Sequence, residues 1–267
     1  LDRNQWLSGA QVRALQEQKL DRLLRHAAQH VPYYRELSSP ALHGLPPLTK
    51  ATIRRESKRL VAENVPPGEL HASRTSGSTG EAPYFYTDEK SLNCRKAAVV
   101  RNKSWTGVRR GDRELLLWGS PIDSARAARL RGRLHGWLTR TRLLSAYNLS
   151  RHELGKCLRT IDSYRPRLLT AYPSVLEELA REYLRGGYAP LGVPALVTSA
   201  ETLYPHQRKL FEETFAAPVF DRYGCREVGD IAEECSLHDG LHINSDRVFV
   251  EVVREDLTPC EPGELGN

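Results

Sequence analysis

Short apolar runs separated by amphipathic stretches fill the middle of the chain. Glu114–Trp118, Leu143–Tyr147, Leu168–Tyr172, Ala195–Ser199 and Pro218–Phe220 are each brief and bounded by polar or turn-forming residues, which predicts five strands. The intervals between them have helical periodicity. Leu154, Cys157, Leu158 and Ile161 make one stripe; Val175, Leu176, Leu179 and Tyr183 make another that stops at Gly186-Gly187. Ser150-Arg-His-Glu153 and Ser174-Val-Leu-Glu177 both fit a capping box, in which Ser and Glu satisfy each other's backbone donors, and so predict the two helix starts. A third helix opens at Pro205, whose missing N–H is harmless in a first turn, and carries Leu210, Phe211 and Phe215. Strand and helix in alternation predict an α/β fold, a mostly parallel sheet with flanking helices.

The flanks differ from this core. Residues 1–72 are polar, with Val12, Leu15, Leu20, Leu23 and Leu24 near helical spacing and Pro32, Pro40 and Pro46-Pro47 as breaks, which predicts an N-terminal helical region. The core then spans 73–220, and 221–267 starts a small β subdomain in which Arg247–Val253 alternates at period 2, as a half-exposed strand would. The end, Glu261–Asn267, has the form of a turn leading to a further strand, and methionine is absent even at position 1; both suggest a piece of a longer protein.

Composition narrows the classes. With 267 residues, 40% hydrophobic and 27% charged, the chain can enclose a core, which excludes a disordered, collagenous or disulfide-scaffold protein. The net charge of +6 suits nucleotides or other anions but is too mild to imply nucleic acid. Five cysteines, an odd number without dense spacing, together with the lack of a signal sequence, predict reduced thiols and a cytoplasmic setting. No apolar run reaches the length of a membrane span. Arg126, Arg129, Arg131, Arg133, Arg140 and Arg142 crowd the first connecting helix, either as a solvated face or as a binder of phosphate, nucleic acid or a coenzyme's phosphoadenosine.

Two segments carry chemistry. Thr75-Ser76-Gly77-Ser78-Thr79-Gly80 combines glycines, which let backbone N–H groups approach an anion, with hydroxyls that donate further hydrogen bonds. It lacks the Gly-Lys-Ser/Thr of a Walker loop, and the same composition also suits an ordinary surface loop. Asp221-Arg-Tyr-Gly-Cys-Arg-Glu227-Val-Gly229 follows directly on a predicted strand, at the sheet edge where open α/β folds bind ligands. Its Tyr223 can stack on a base and its Glu227 can hold Mg²⁺, although a Tyr-Gly pair after a strand also makes an ordinary turn.

Together and in this order, the two segments resemble those of the AMP-forming adenylate ligases, in particular the phenylacetate–CoA ligase-like branch with its capsule-biosynthesis adenylating homologues. The resemblance runs from about residue 31 to the end and takes in Leu48-Thr-Lys50, Ala171-Tyr-Pro-Ser174, Thr198-Ser-Ala-Glu-Thr-Leu203, Glu234-Cys235, Gly240-Leu-His242 and Pro262-Gly-Glu264. It implies the large N-terminal domain of an adenylate-forming enzyme plus the start of a small β subdomain. By the same resemblance, Thr75, Ser76, Gly77, Ser78, Thr79 and Gly80 would hold the ATP phosphates. Ser199, Ala200 and Glu201 would lie against adenine, with Tyr223 and Gly224 on its other face, and Glu227 would position Mg²⁺. Trp118, Tyr172 and Pro173 would lie near the acyl substrate, their aromatic character favouring an aromatic or planar acid.

The implied function is ATP-dependent activation of a carboxylic acid as an acyl adenylate, with transfer to CoA. The alternatives are a nucleotide-binding protein that has lost the reaction, or an adenylating enzyme that transfers to an amine or retains AMP. Three departures bear on this. Glu81 stands where the family often has Lys, residues 37–47 are short, and the ribose-binding Asp, hinge and C-terminal domain with its catalytic Lys are not in the chain, which predicts weak activity from this portion alone. Finally, Cys235, His238 and His242 fall within eight residues around an Asp239-Gly240 turn and are candidate ligands of a structural Zn²⁺, with a fourth ligand from Cys260 or from outside the chain. A buried thiol beside a histidine facing the nucleotide site is the other reading of that segment.

Overall fold

A computed structural model describes residues 2–37, 41–74, 84–119, 130–146 and 149–266. They form two compact units, residues 1–96 with 243–267, and residues 97–242.

In the first unit α1 (Gly9–His30) starts at a capping box between Ser8 and Gln11. Helices α2 (Pro32–Arg35) and α3 (Lys50–Arg55) follow, and β1 (Leu70–Arg74) pairs antiparallel with β2 (Tyr84–Asp88), in register from Leu70↔Asp88 to Arg74↔Tyr84. The chain therefore enters and leaves the interval 75–83 at neighbouring points. That interval, with the whole Thr75–Gly80 segment and Glu81, lies outside the described residues.

The expected strand over Arg247–Val253 is not formed. Only Val253 makes a bridge, antiparallel to Pro259. Side chains of α1 bond the backbone at the start of that segment instead, Gln16 Nε2 donating to Val248 O and Lys19 Nζ to the neighbouring Asp246 O. Alternating apolar residues fit a pleat, but a strand needs a partner for its backbone groups.

The second unit holds most of the parallel sheet. Between α4 (Glu89–Trp105) and the hairpin that ends the unit come β3 (Glu114–Trp118), α5 (Leu130–Leu138), β4 (Thr141–Ser145), α6 (Arg151–Tyr164), β5 (Leu168–Ala171), α7 (Pro173–Gly186), β6 (Ala195–Ser199), α8 (Pro205–Phe215), β7 (Val219–Cys225), β8 (Gly229–Glu234) and β9 (Leu241–Ile243). The strand order is β4-β3-β5-β6-β7-β8-β9, parallel from β4 to β7 and antiparallel at β7/β8. All five predicted strands are present; β7 continues five residues beyond Phe220, through Tyr223 and Gly224, so that pair lies within a strand and not in a turn.

Alternation along the central strands divides the core between two faces. Leu169, Leu196 and Val219 join Leu158, Leu176 and Phe211 on one side, while Leu168, Ala195, Val197 and Phe220 face the other. This double burial explains why β5 and β6 read as continuous apolar runs. Ser150 caps α6, accepting from Glu153 N at 3.3 Å, but the box is only half made, because the Glu153 carboxylate accepts from Lys156 Nζ at 2.8 Å. Ser174 does not cap α7: the cap is Tyr172, Pro173 takes the first helical position, and Ser174 is already in the first turn. The proline sets φ for the helix and moves its start two residues earlier than the Ser-x-x-Glu spacing suggests. Among the described residues no helix is long and apolar enough to cross a membrane.

A candidate nucleotide and acyl site at the C-terminal sheet edge

The parallel strands of the second unit all end on one edge, and their last residues and first loop residues carry the sequence-predicted groups. At the end of β3 the Trp118 ring stacks on Tyr172 after β5, with centroids 4.4 Å apart and planes at 25°. Pro173, the first residue of α7, is buried. A Cβ on Gly119 would come within 3.4 Å of Tyr172 Cε2, so a residue without a side chain leaves the Tyr172 ring room to lie flat.

After β6, Ser199 is buried and its Oγ accepts from Arg222 Nε at 3.3 Å. Ala200 holds φ at +70°, a left-handed conformation uncommon for residues other than glycine. The next residue, Glu201, fixes that bend. Its carboxylate accepts from Ser174 N and from Ser174 Oγ, both at 2.9 Å, and so sits at the N-terminus of α7 where the helix dipole favours an anion. The Glu201 side chain is thus committed to the fold, and what this segment presents to the open edge is its backbone.

The hairpin β7–β8 supplies the rest. Tyr223 is 60% exposed, a flat ring open to the edge. Gly224 is required by close approach, since a Cβ there would lie 2.7 Å from Gly229 O. The ladder shifts register between Tyr223 and Gly224, leaving Ile231 as an extra residue on β8, a bulge that increases local twist. Glu227 lies exposed in the turn 226–228 that joins the strands.

Beneath this edge the structure brings together charges that the sequence reading missed. Thr198 Oγ1 donates to Asp221 Oδ1 at 2.8 Å, and burial pushes the Asp221 carboxyl up against the opposing pull of Thr198 and the Arg222 N–H. Glu234 accepts from Arg208 Nη2 (2.6 Å) and Asp221 N (3.1 Å), and His238 Nδ1 lies 3.0 Å away. Neighbouring Glu233 points to the opposite face, 2% exposed, and burial raises it to about 7 despite the nearby Arg222. Two adjacent acids in a strand must face opposite ways, so the pair Glu233-Glu234 directly after the apolar Ile231-Ala232 was the available signal.

The proposed zinc ligands divide. His242 Nε2 lies 3.1 Å from Cys235 Sγ, while His238 turns to Glu234 and the Phe220 ring. Among the described residues no three His, Cys, Asp or Glu side chains gather in a metal-holding group. The six clustered arginines are not one helical face: Arg131 and Arg133 are on α5, Arg140 follows it, Arg142 is on β4, and Arg126 and Arg129 fall outside the described residues.

The fold is that of adenylate-forming ligases. A solved 2-hydroxyisobutyryl-CoA ligase, in complex with 2-HIB-AMP and CoA, superposes with a TM-score of 0.76 at 20% identity, over 96% of this chain and 58% of that one. In sequence the chain is similar to phenylacetate-coenzyme A ligases. It is 28% identical over 275 residues to that of Thermus thermophilus, covering 96% of this chain and 60% of the relative, and 28% identical over 294 residues to that of Escherichia coli, covering 64% of the relative. The chain thus spans less than two thirds of the length of these curated relatives. No protein-family model matches it.

Proposed function

We propose that the chain is the nucleotide- and acyl-binding portion of an AMP-forming acid ligase, which activates an aromatic or planar carboxylic acid with ATP and passes the acyl group to coenzyme A. The observation that carries this is the convergence, on one sheet edge, of the Trp118–Tyr172 stack, the left-handed turn at Ala200, the open Tyr223 ring and the Glu227 carboxylate. The likeness to phenylacetate–coenzyme A ligases supports the substrate class.

The chemistry asks little of protein acids or bases. A carboxylate is ionised at neutral pH, and its oxygen attacks the α-phosphorus; a P–O bond forms, the bond to the bridging oxygen breaks, and pyrophosphate leaves with the electron pair. A thiol then adds to the acyl carbon and AMP departs. Rate enhancement comes from orientation and charge. The stacked rings would orient the acid, the backbone of 199–201 and the Tyr223 ring would bracket the base, and residues 75–80 would donate to phosphate oxygens. An exposed carboxylate such as that of Glu227 fits a hard cation that takes its remaining ligands from water and phosphate, and the ion would supply charge neutralisation there.

Pyrophosphate release by the full-length protein, assayed over a panel of carboxylic acids, tests this reading. Release that depends on an aryl acid is expected. ATP binding without release for any acid would instead favour a nucleotide-binding protein that has lost the reaction.

A further inference from the structure

The edge of the parallel sheet opposite the candidate site holds a cavity of about 320 Å³ lined by Asp112, Arg113, Arg140, Arg165, Arg167 and Gly192, with Pro166 and Pro194 beside them. Its residues come from four separate segments, those that lead into β3, β4, β5 and β6. Four arginines and one aspartate thus line it, and the Arg113 guanidinium lies 5.8 Å from the centroid of the Tyr164 ring. Among the described residues only Arg167 of the four has an acid within ion-pair distance, Asp112 at 3.4 Å. Ligands of open α/β folds bind at the other edge, so this concentration of charge is not explained by the candidate site.

The arginines are held in place by backbone bonds. Arg140 O accepts from Glu114 N at 2.9 Å and also from Tyr164 Oη, and Arg113 O accepts from Arg167 N at 2.7 Å. Arg140 and Arg165 both adopt left-handed backbone, with φ at 51° and 48°, and both close helices where glycine or asparagine is usual. Helix C-termini do favour cations. That effect alone accounts for neither Arg113 nor a concave grouping fed by four segments.

We infer that this cavity is a second anion site, which takes a small molecule carrying a di- or triphosphate. Guanidinium forks bind phosphate oxygens in bidentate fashion, and several phosphates on one ligand can neutralise Arg113, Arg140 and Arg165, which have no acid within ion-pair distance among the described residues. A concavity of about 320 Å³ suits a small polyphosphate better than a polymer.

Calorimetric titration with inorganic tripolyphosphate, without magnesium or acid, should show saturable one-to-one binding. Arg140→Gly combined with Arg165→Gly should weaken it at least about tenfold, as the loss of charge-assisted bonds implies. Glycine suits both backbone positions, so the melting temperature should hold or rise. Arg113→Gln leaves those positions untouched and should weaken binding as well. Undiminished affinity in Arg113→Gln overturns the inference, as does uptake that never saturates. Tighter, length-dependent capture of a single-stranded RNA by the same arginines would overturn it in favour of nucleic acid. The readout involves no turnover, so it stands whether or not the chain adenylates.

Discussion

Ser174 holds Glu201 at two points, through its backbone N–H and its hydroxyl, and so ties the start of α7 to the loop after β6. The loop in question contains the left-handed Ala200, and the bond is what keeps that conformation from relaxing. Glu201→Ala should therefore cost about 1–2 kcal/mol in urea denaturation and raise the KM for ATP more than it lowers kcat. Unchanged KM would separate this loop from the nucleotide.

Gly224→Ala introduces a methyl where Gly229 O leaves 2.7 Å. The hairpin must open, with an expected loss of about 1–3 kcal/mol. Tyr223 and Glu227 flank the clash, so adenylation should fall further than stability does. A variant of normal activity would mean that the hairpin yields without moving either residue.

Glu227→Gln keeps the side chain's shape and removes its charge. Acid-dependent pyrophosphate release should fall by about 10²-fold or more, as expected when a group that neutralises phosphate is lost, with the melting temperature unchanged. Cys225 lies two residues away and is exposed, but attack by the substrate carboxylate requires no enzyme thiol. Cys225→Ala should keep near-normal release, and its loss would call for a covalent step.

Glu233 makes stability depend on pH. Its carboxyl is raised to about 7 in the folded chain, from about 4.5 when unfolded, so the folded state binds the proton more tightly. The linked stability is fully present below about pH 4.5 and is lost as pH rises through 7. Glu233→Gln should remove that slope and raise stability at pH 8 by about 1–3 kcal/mol, measured by denaturation at both ends of the range. A slope equal to that of the unmodified protein would place the titration elsewhere.

Trp118→Ala removes one face of the aromatic stack on Tyr172. If these rings orient an aryl acid, kcat/KM for such an acid should drop by about 10- to 100-fold, in line with the energy of an aromatic contact plus its buried area, and a short aliphatic acid should be less affected. Equal losses for both acids would point to a structural role for the stack.

The parallel core was legible because both faces of β5 and β6 are buried, and a run such as Leu168–Ala171 has few other uses. Glycine at 224 and the small residue at 200 were visible as a pattern, but their reasons, a carbonyl at contact distance and a positive φ, are tertiary facts. Ser174 misled because a Ser-x-x-Glu spacing says nothing about a proline one residue earlier that can start the helix itself. Arg247–Val253 misled because alternation specifies a surface and not a partner; Lys19 and Gln16, more than 200 positions earlier, had claimed its neighbourhood. The arginine cavity was beyond reach, since Arg113, Arg140 and Arg165 meet only once three strands are aligned.

The extra residue in β8 is absorbed where it stands: Ala232 still faces Tyr223 and Glu233 still faces Arg222, while Asp230 faces Gly224 on the other side of it. Excising Ile231 would leave these pairs opposite one another in a regular ladder, so Glu233 would stay near Arg222 and Glu234 with Arg208. What would go is the added twist of the bulge, in the hairpin that carries Tyr223 and Glu227. A one-residue deletion there, removing no charge and moving no acid, would re-aim the Tyr223 ring while the carboxylates beneath it kept their partners.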